Sequence, residues 1–160
     1  MDDVRLVARQ LGRPPRGRWR VAARCSFGHP SVVLTAPSLD DGSPFPTLFY
    51  LTCPHLVRLV ADLESAGGIE TWRSALGGDP VLARRLSAAD AAYRAARAAE
   101  AGGTDPVPGA GIAGQRDPAA TKCLHAHVAA YLAGLDDPIG EGVIGSLVRE
   151  CGDNRCGGDT

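Results

Sequence analysis

The chain has 160 residues, 44% of them apolar and only 5% aromatic, with a formal net charge of −1. That length fits one domain with a core built largely from Leu, Val and Ala, and the balanced charge gives no global field for a polyanion or a membrane surface. The start, Met1-Asp2-Asp3-Val4-Arg5, lacks an apolar signal core, and no run approaches the about 20 apolar residues of a membrane helix, so a cytoplasmic protein is expected, with its five cysteines serving as thiols or ligands.

Residues 2–11 are a predicted amphipathic helix, with Val4, Val7, Ala8 and Leu11 at helical spacing before Gly12. The paired prolines of Pro14-Pro15 then force a loop. From Trp19 to Cys25 the period changes to two, with Trp19, Val21, Ala23 and Cys25 on one face and Arg20 and Arg24 on the other. Ser31 to Ala36 and Thr47 to Thr52 complete a predicted three-stranded antiparallel meander over residues 19–52. Its first and third strands run in the same direction, so Cys25 with His29 and Cys53 with His55 are expected at one edge of the sheet. Flat outer strands lie about 9.6 Å apart, so one metal would bridge them only with twist or a curled loop.

Pro54 suits a first helical position, and Leu56, Leu59, Val60 and Leu63 follow at helical spacing, which makes Cys53 the predicted N-cap. Free amides and the helix dipole there favour a thiolate, so Cys53 is a candidate nucleophile or ligand. A short helix over Ile69 to Leu76 precedes Asp79-Pro80, the start of a long helix to about Ala101. Leu82, Leu86, Ala89, Tyr93 and Ala96 form its buried stripe, and Arg84 and Arg94 face away.

Residues 102–116 are rich in Gly and Pro, either a linker or a loop folded over the site. Gly109-x-Gly111-x-x-Gly114 matches a dinucleotide fingerprint, but Pro106 and Pro108 stand where a strand is required and Pro118 interrupts the following helix. No nucleotide cofactor is expected. Asp117-Pro118 can open a helix to about Leu132, on which Cys123 and His127 share a flank and His125 lies opposite. If Thr121 is instead the N-cap, Cys123 and His125 fall in a looser first turn and that exclusion relaxes. Asp137-Pro138 begins a last short helix with Ile139, Val143, Leu147 and Val148 apolar. Residues 151–160 read as a flexible tail, in which Cys151 and Cys156 are late ligands, a redox couple or neither, the last favoured. The expected fold is α+β, a small three-stranded antiparallel sheet packed against about five helices in a single domain.

All four histidines follow a cysteine by two or four residues. Three functions fit. One is a transition-metal site, zinc favoured, held by Cys25, Cys53, Cys123 and one of His125 or His127, structural with four ligands or catalytic with three and water. A second is a thiol enzyme with Cys53 or Cys123 as nucleophile and His125 or His127 as base. A third is a module that binds a polyanion or an acidic partner through Arg13, Arg16, Arg18 and Arg20 around Trp19, a stretch more simply read as a solvated loop.

The phrases Phe45-Pro46-Thr47-Leu48-Phe49-Tyr50-Leu51-Thr52-Cys53-Pro54 and Lys122-Cys123-Leu124-His125-Ala126-His127 resemble the bacterial domain-of-unknown-function family numbered 501. The resemblance runs from about Leu6 to about Leu147 and takes in Arg24-Cys25 and Asp137-Pro138-Ile139-Gly140. It implies no activity. The family's gene neighbours, a septum-formation initiator and an exopolyphosphatase, imply a link to cell division or phosphate metabolism. The resemblance also puts the emphasis on Lys122-Cys123-Leu124-His125 rather than on His127.

Overall fold

In the computed structural model, residues 2–157 are described, and they form an α+β fold. Helix α1 (Asp3–Leu11) leads into strands β1 (Trp19–Arg24), β2 (Pro30–Thr35) and β3 (Phe49–Leu51), followed by α2 (Pro54–Ser65), α3 (Gly68–Gly78), α4 (Pro80–Glu100), α5 (Leu124–Leu132) and α6 (Pro138–Gly145). The sheet is the expected antiparallel meander in the order β1-β2-β3, with Val32 opposite Leu51 and Val33 opposite Tyr50. Register shifts around Ala23 break the clean alternation of β1, so Ala22 packs against the core together with Ala23.

β2 is buried along its whole length, as its apolar run requires once both faces are covered. Val32 and Leu34 join the main core with Leu56 and Val60 of α2, Leu86 and Tyr93 of α4, and Val128 of α5. On the other side α1 lies over β2 and buries Leu6 and Val7. α5 is apolar around most of its circumference because it is the central helix, touching β3, α2 and α6. α6 crosses it so closely that a Cβ on Gly140 would sit 2.3 Å from the His127 carbonyl oxygen.

The Gly/Pro-rich stretch is a loop pinned to α4, with a 3-10 turn at Ile112–Gly114. Asp90 accepts from the Ile112 amide at 2.9 Å, and a Cβ on Gly111 would lie 2.4 Å from the same carboxylate oxygen. Gly111 of the fingerprint-like run is therefore explained by close backbone approach. Arg97, fully buried, donates Nε to Asp105 Oδ1 at 2.7 Å and Nη2 to Oδ2 at 2.8 Å, and reaches the carbonyls of Pro46, Val107 and Ala110 at 2.8, 2.8 and 2.5 Å. One turn earlier the Tyr93 hydroxyl accepts the Leu48 amide at 2.6 Å. Arg94, expected to face away, is only half-buried, with Nε unpartnered. Among the described residues no helix is long and apolar enough to cross a membrane.

Two expectations need correction. Asp117-Pro118 closes only a local turn, Ala119 N to Asp117 Oδ1 at 2.9 Å, and α5 begins at Leu124 instead. The C-terminal stretch 151–160, expected as a flexible tail, is docked where it is described: Asn154 pairs with His29 at 2.8 Å, and Arg9 Nη2 reaches the Cys156 carbonyl at 2.8 Å. Residues 158–160 of that tail lie outside the described residues.

Arg97 holds the Asp105 carboxyl below the usual carboxylate range, its hydrogen bond outweighing partial burial. The stabilisation from this shift is present above the ordinary aspartate value and is lost as pH falls through the lower folded one. Arg97→Met, which strands Asp105 and three carbonyls, is expected to cost about 3–5 kcal/mol in urea unfolding at neutral pH. Asp105→Asn should also flatten the loss of stability below about pH 4, measured by the same unfolding series.

Candidate metal centre

The start of α5 is where separate parts of the chain meet. Cys123 is the N-cap in extended backbone, φ −153° and ψ 114°, but its side chain makes no capping bond. Glu64, in the last turn of α2, instead reaches the first helical amide: its Oε1 accepts the Leu124 amide at 2.7 Å. A carboxylate is well suited there, since the first amides of a helix have no intrahelical acceptor and carry partial positive charge.

The same oxygen lies 3.2 Å from His125 Nδ1, and His125 Nε2 donates to the Val57 carbonyl at 3.0 Å. One donor atom each from Glu64, Cys123 and His125 lie within 4.8 Å of one another, the one such trio of His, Cys, Asp or Glu groups among the described residues. Cys123 and His125 face a cleft of about 380 Å³ whose wall is mostly apolar, with Phe49, Leu51, Val57 and Ala126. With both ring nitrogens on acceptors, the metal-free imidazole is held as a cation. Its pKa is pushed up to about 9, first by the hydrogen bond with Cys123, against partial burial, and further by the Val57 carbonyl and Glu64.

The other candidate residues lie elsewhere. Cys25 and Cys53 line a separate small cleft at the sheet end with Arg24 and Cys151. Burial pushes the Cys53 thiol up and outweighs the Leu56 and His55 amides near it, so the thiolate expected at this helix N-terminus is not favoured; the side chain makes no capping bond either. His29 Nε2 pairs with Asn154 at 2.8 Å, and His55 Nε2 donates to the Val148 carbonyl at 2.6 Å. His127 is buried between Thr121 Oγ1 at 2.8 Å and Asp137 Oδ2 at 2.7 Å. Hydroxyl, imidazole and carboxylate in that order match a nucleophilic triad, but Thr121 has no exposed surface, so the row ties α5 to the cap of α6. The flank shared by Cys123 and His127 on a wheel does not exist, because Cys123 precedes the helix.

The four arginines also separate. Arg13 and Arg16 border one cleft, Arg18 and Arg20 another, and Arg20 is paired with Glu100, Nη1 to Oε2 at 2.9 Å. Sequence reasoning missed Glu64 altogether. It sits in an ordinary helical surface pattern, and only tertiary packing brings it to Leu124.

A family model described as a protein of unknown function, DUF501, matches residues 21–145. No curated protein and no solved structure matches the chain.

In metal-free protein the His125 ring should titrate near 9 in an NMR pH series and fall toward 6.5 in Cys123→Ser. Because the folded value is raised, His125 stabilises the fold fully below its unfolded pKa and loses that contribution as pH rises through about 9. His125→Asn should remove that part of the alkaline slope in unfolding experiments.

Proposed function

The chain belongs to the DUF501 family of proteins of unknown function, and we propose that it binds one divalent transition metal ion, zinc in the first instance, through Glu64, Cys123 and His125. The observation that carries this reading is the mutual approach of an oxygen, a sulfur and a nitrogen donor beside an open cleft. Thiolate, imidazole and carboxylate are a donor set that suits zinc. The Val57 carbonyl supplies the outer hydrogen bond that typically fixes a ligating histidine, leaving Nδ1 as the donor atom. Three protein ligands leave a coordination position for water or a substrate oxygen, the arrangement of a Lewis-acid centre rather than a closed structural site.

The cleft wall suits a small molecule with an apolar body and one donor atom directed at Cys123 and His125. Thiol ligands call for a reducing compartment, in keeping with a cytoplasmic location. Binding must displace the His125 proton and the Cys123 thiol proton, so apparent affinity rises with pH.

A second reading has one observation behind it. Cys123 and the His125 cation are in contact, and the far ring nitrogen is held by the Val57 carbonyl, the order of groups in a thiol nucleophile, its base and an orienting acceptor. The two readings separate in one experiment on the full chain, purified under reducing conditions without chelator. Metal centre: elemental analysis gives a metal content that falls by one equivalent in Cys123→Ser and again in His125→Ala assayed separately, and iodoacetamide labels Cys123 only after chelation. Thiol enzyme: both variants keep the wild-type metal content, and Cys123 is the fastest-labelled cysteine with no chelator present.

A further inference from the structure

Four of the five cysteines lie apart from the Glu64 centre, and the fold gathers them around the C-terminal ends of β1 and β3. Cys25 follows β1, Cys53 lies at the junction of β3 and α2, and Cys151 comes from the C-terminal segment; all three line one small cleft. Its volume is about 10 Å³, room for a single water-sized sphere or ion. Cys156 is the fourth, and with Cys25 it adds to the rise of the Cys53 pKa that burial begins. Gln10 Nε2 donates to Cys156 Sγ at 3.5 Å and to the Pro30 carbonyl at 2.9 Å, which anchors this part of the tail to the start of β2.

The cleft is not ordinary apolar core. Arg24, Arg149 and Glu150 share its wall with the thiols. Arg155 also interacts with Cys151 and Cys53. Arg24, Arg149 and Arg155 are each paired with a carboxylate, of Asp3, Glu150 and Asp153, and four thiolates around a divalent ion would add a net charge of about −2 beside these guanidinium groups.

We propose that Cys25, Cys53, Cys151 and Cys156 form a second metal centre, a closed four-thiolate site for a soft divalent ion of the zinc class that fastens the C-terminal segment to the end of the sheet. On binding, each thiol releases its proton to solvent and no electron is transferred. Among the described residues no three of these sulfurs lie within 4.8 Å of one another, and a tetrahedral zinc site needs sulfurs about 3.8 Å apart. Binding therefore draws them inward. The segment carrying Cys151 and Cys156 is made of turns with no helix or strand, so it is the part that gives way.

The test uses the reduced full chain carrying Cys123→Ser and His125→Ala, which removes the Glu64 centre and leaves the four thiols. Titrated with cobalt(II), this protein should bind one equivalent with ultraviolet sulfur-to-metal charge transfer about four times that of a single Co–S bond. Bound metal should also slow tryptic cleavage after Arg155. Adding Cys151→Ser and Cys156→Ser, both outside the packed sheet and helices, should weaken binding about 100-fold or more and abolish the protection. Loss of all metal in the Cys123→Ser and His125→Ala protein would overturn the second centre and leave the first standing; retention of one equivalent after the tail substitutions, or a disulfide among these cysteines under reducing conditions, would also overturn it. Wild-type protein that loses its metal only with the tail substitutions would support this centre and defeat the other.

Discussion

A single carboxylate oxygen decides where α5 begins. Glu64 Oε1 accepts the amide of Leu124, the first helical residue, at 2.7 Å, while Cys123 in the N-cap place makes no side-chain capping bond. Buried amides without acceptors are costly, so a helix at the centre of a core starts where an acceptor is available. α5 touches β3, α2 and α6, and fixing its first residue fixes what its flanks present to each. His125 is thereby turned toward Glu64 and the cleft, and His127, two residues on, is turned into the interior toward Asp137.

Much of the fold was legible because local signals and tertiary demands agreed. Asp79-Pro80 and Asp137-Pro138 cap α4 and α6 through their aspartate side chains, and the period-two runs became the expected meander. Asp117-Pro118 carries the same local signal and fails. The helix after it is paired not with its own aspartate but with a glutamate 60 positions earlier, a relation that no local pattern contains. For the same reason the spacing argument chose His127 as the partner of Cys123. It assumed a helical residue at 123, where the backbone is extended.

The site was legible by residue type but not by grouping. Cysteine and histidine are two of the three residue types that meet at Glu64, and the sheet topology brought Cys25 and Cys53 to one cleft. Cys123 faces a different one. Burial then set Cys53 and His125 apart: Cys53, expected as an activated thiol, has its pKa raised by desolvation, and the His125 pKa is pushed up to about 9. Arg97 carries no distinguishing mark in the sequence, yet it holds the Gly/Pro-rich loop against α4. Buried charge with a full set of acceptors cannot be told from solvated charge in a sequence.

Glu64, Cys123 and His125 must close on one ion for the centre to exist. An anomalous difference map from crystals of the zinc-loaded protein, collected across the zinc edge, tests this directly. The expected result is a peak about 2.3 Å from Cys123 Sγ and about 2.0–2.1 Å from His125 Nδ1 and a Glu64 oxygen. A map with no peak there, and with His125 Nδ1 still hydrogen-bonded to Glu64, would contradict it.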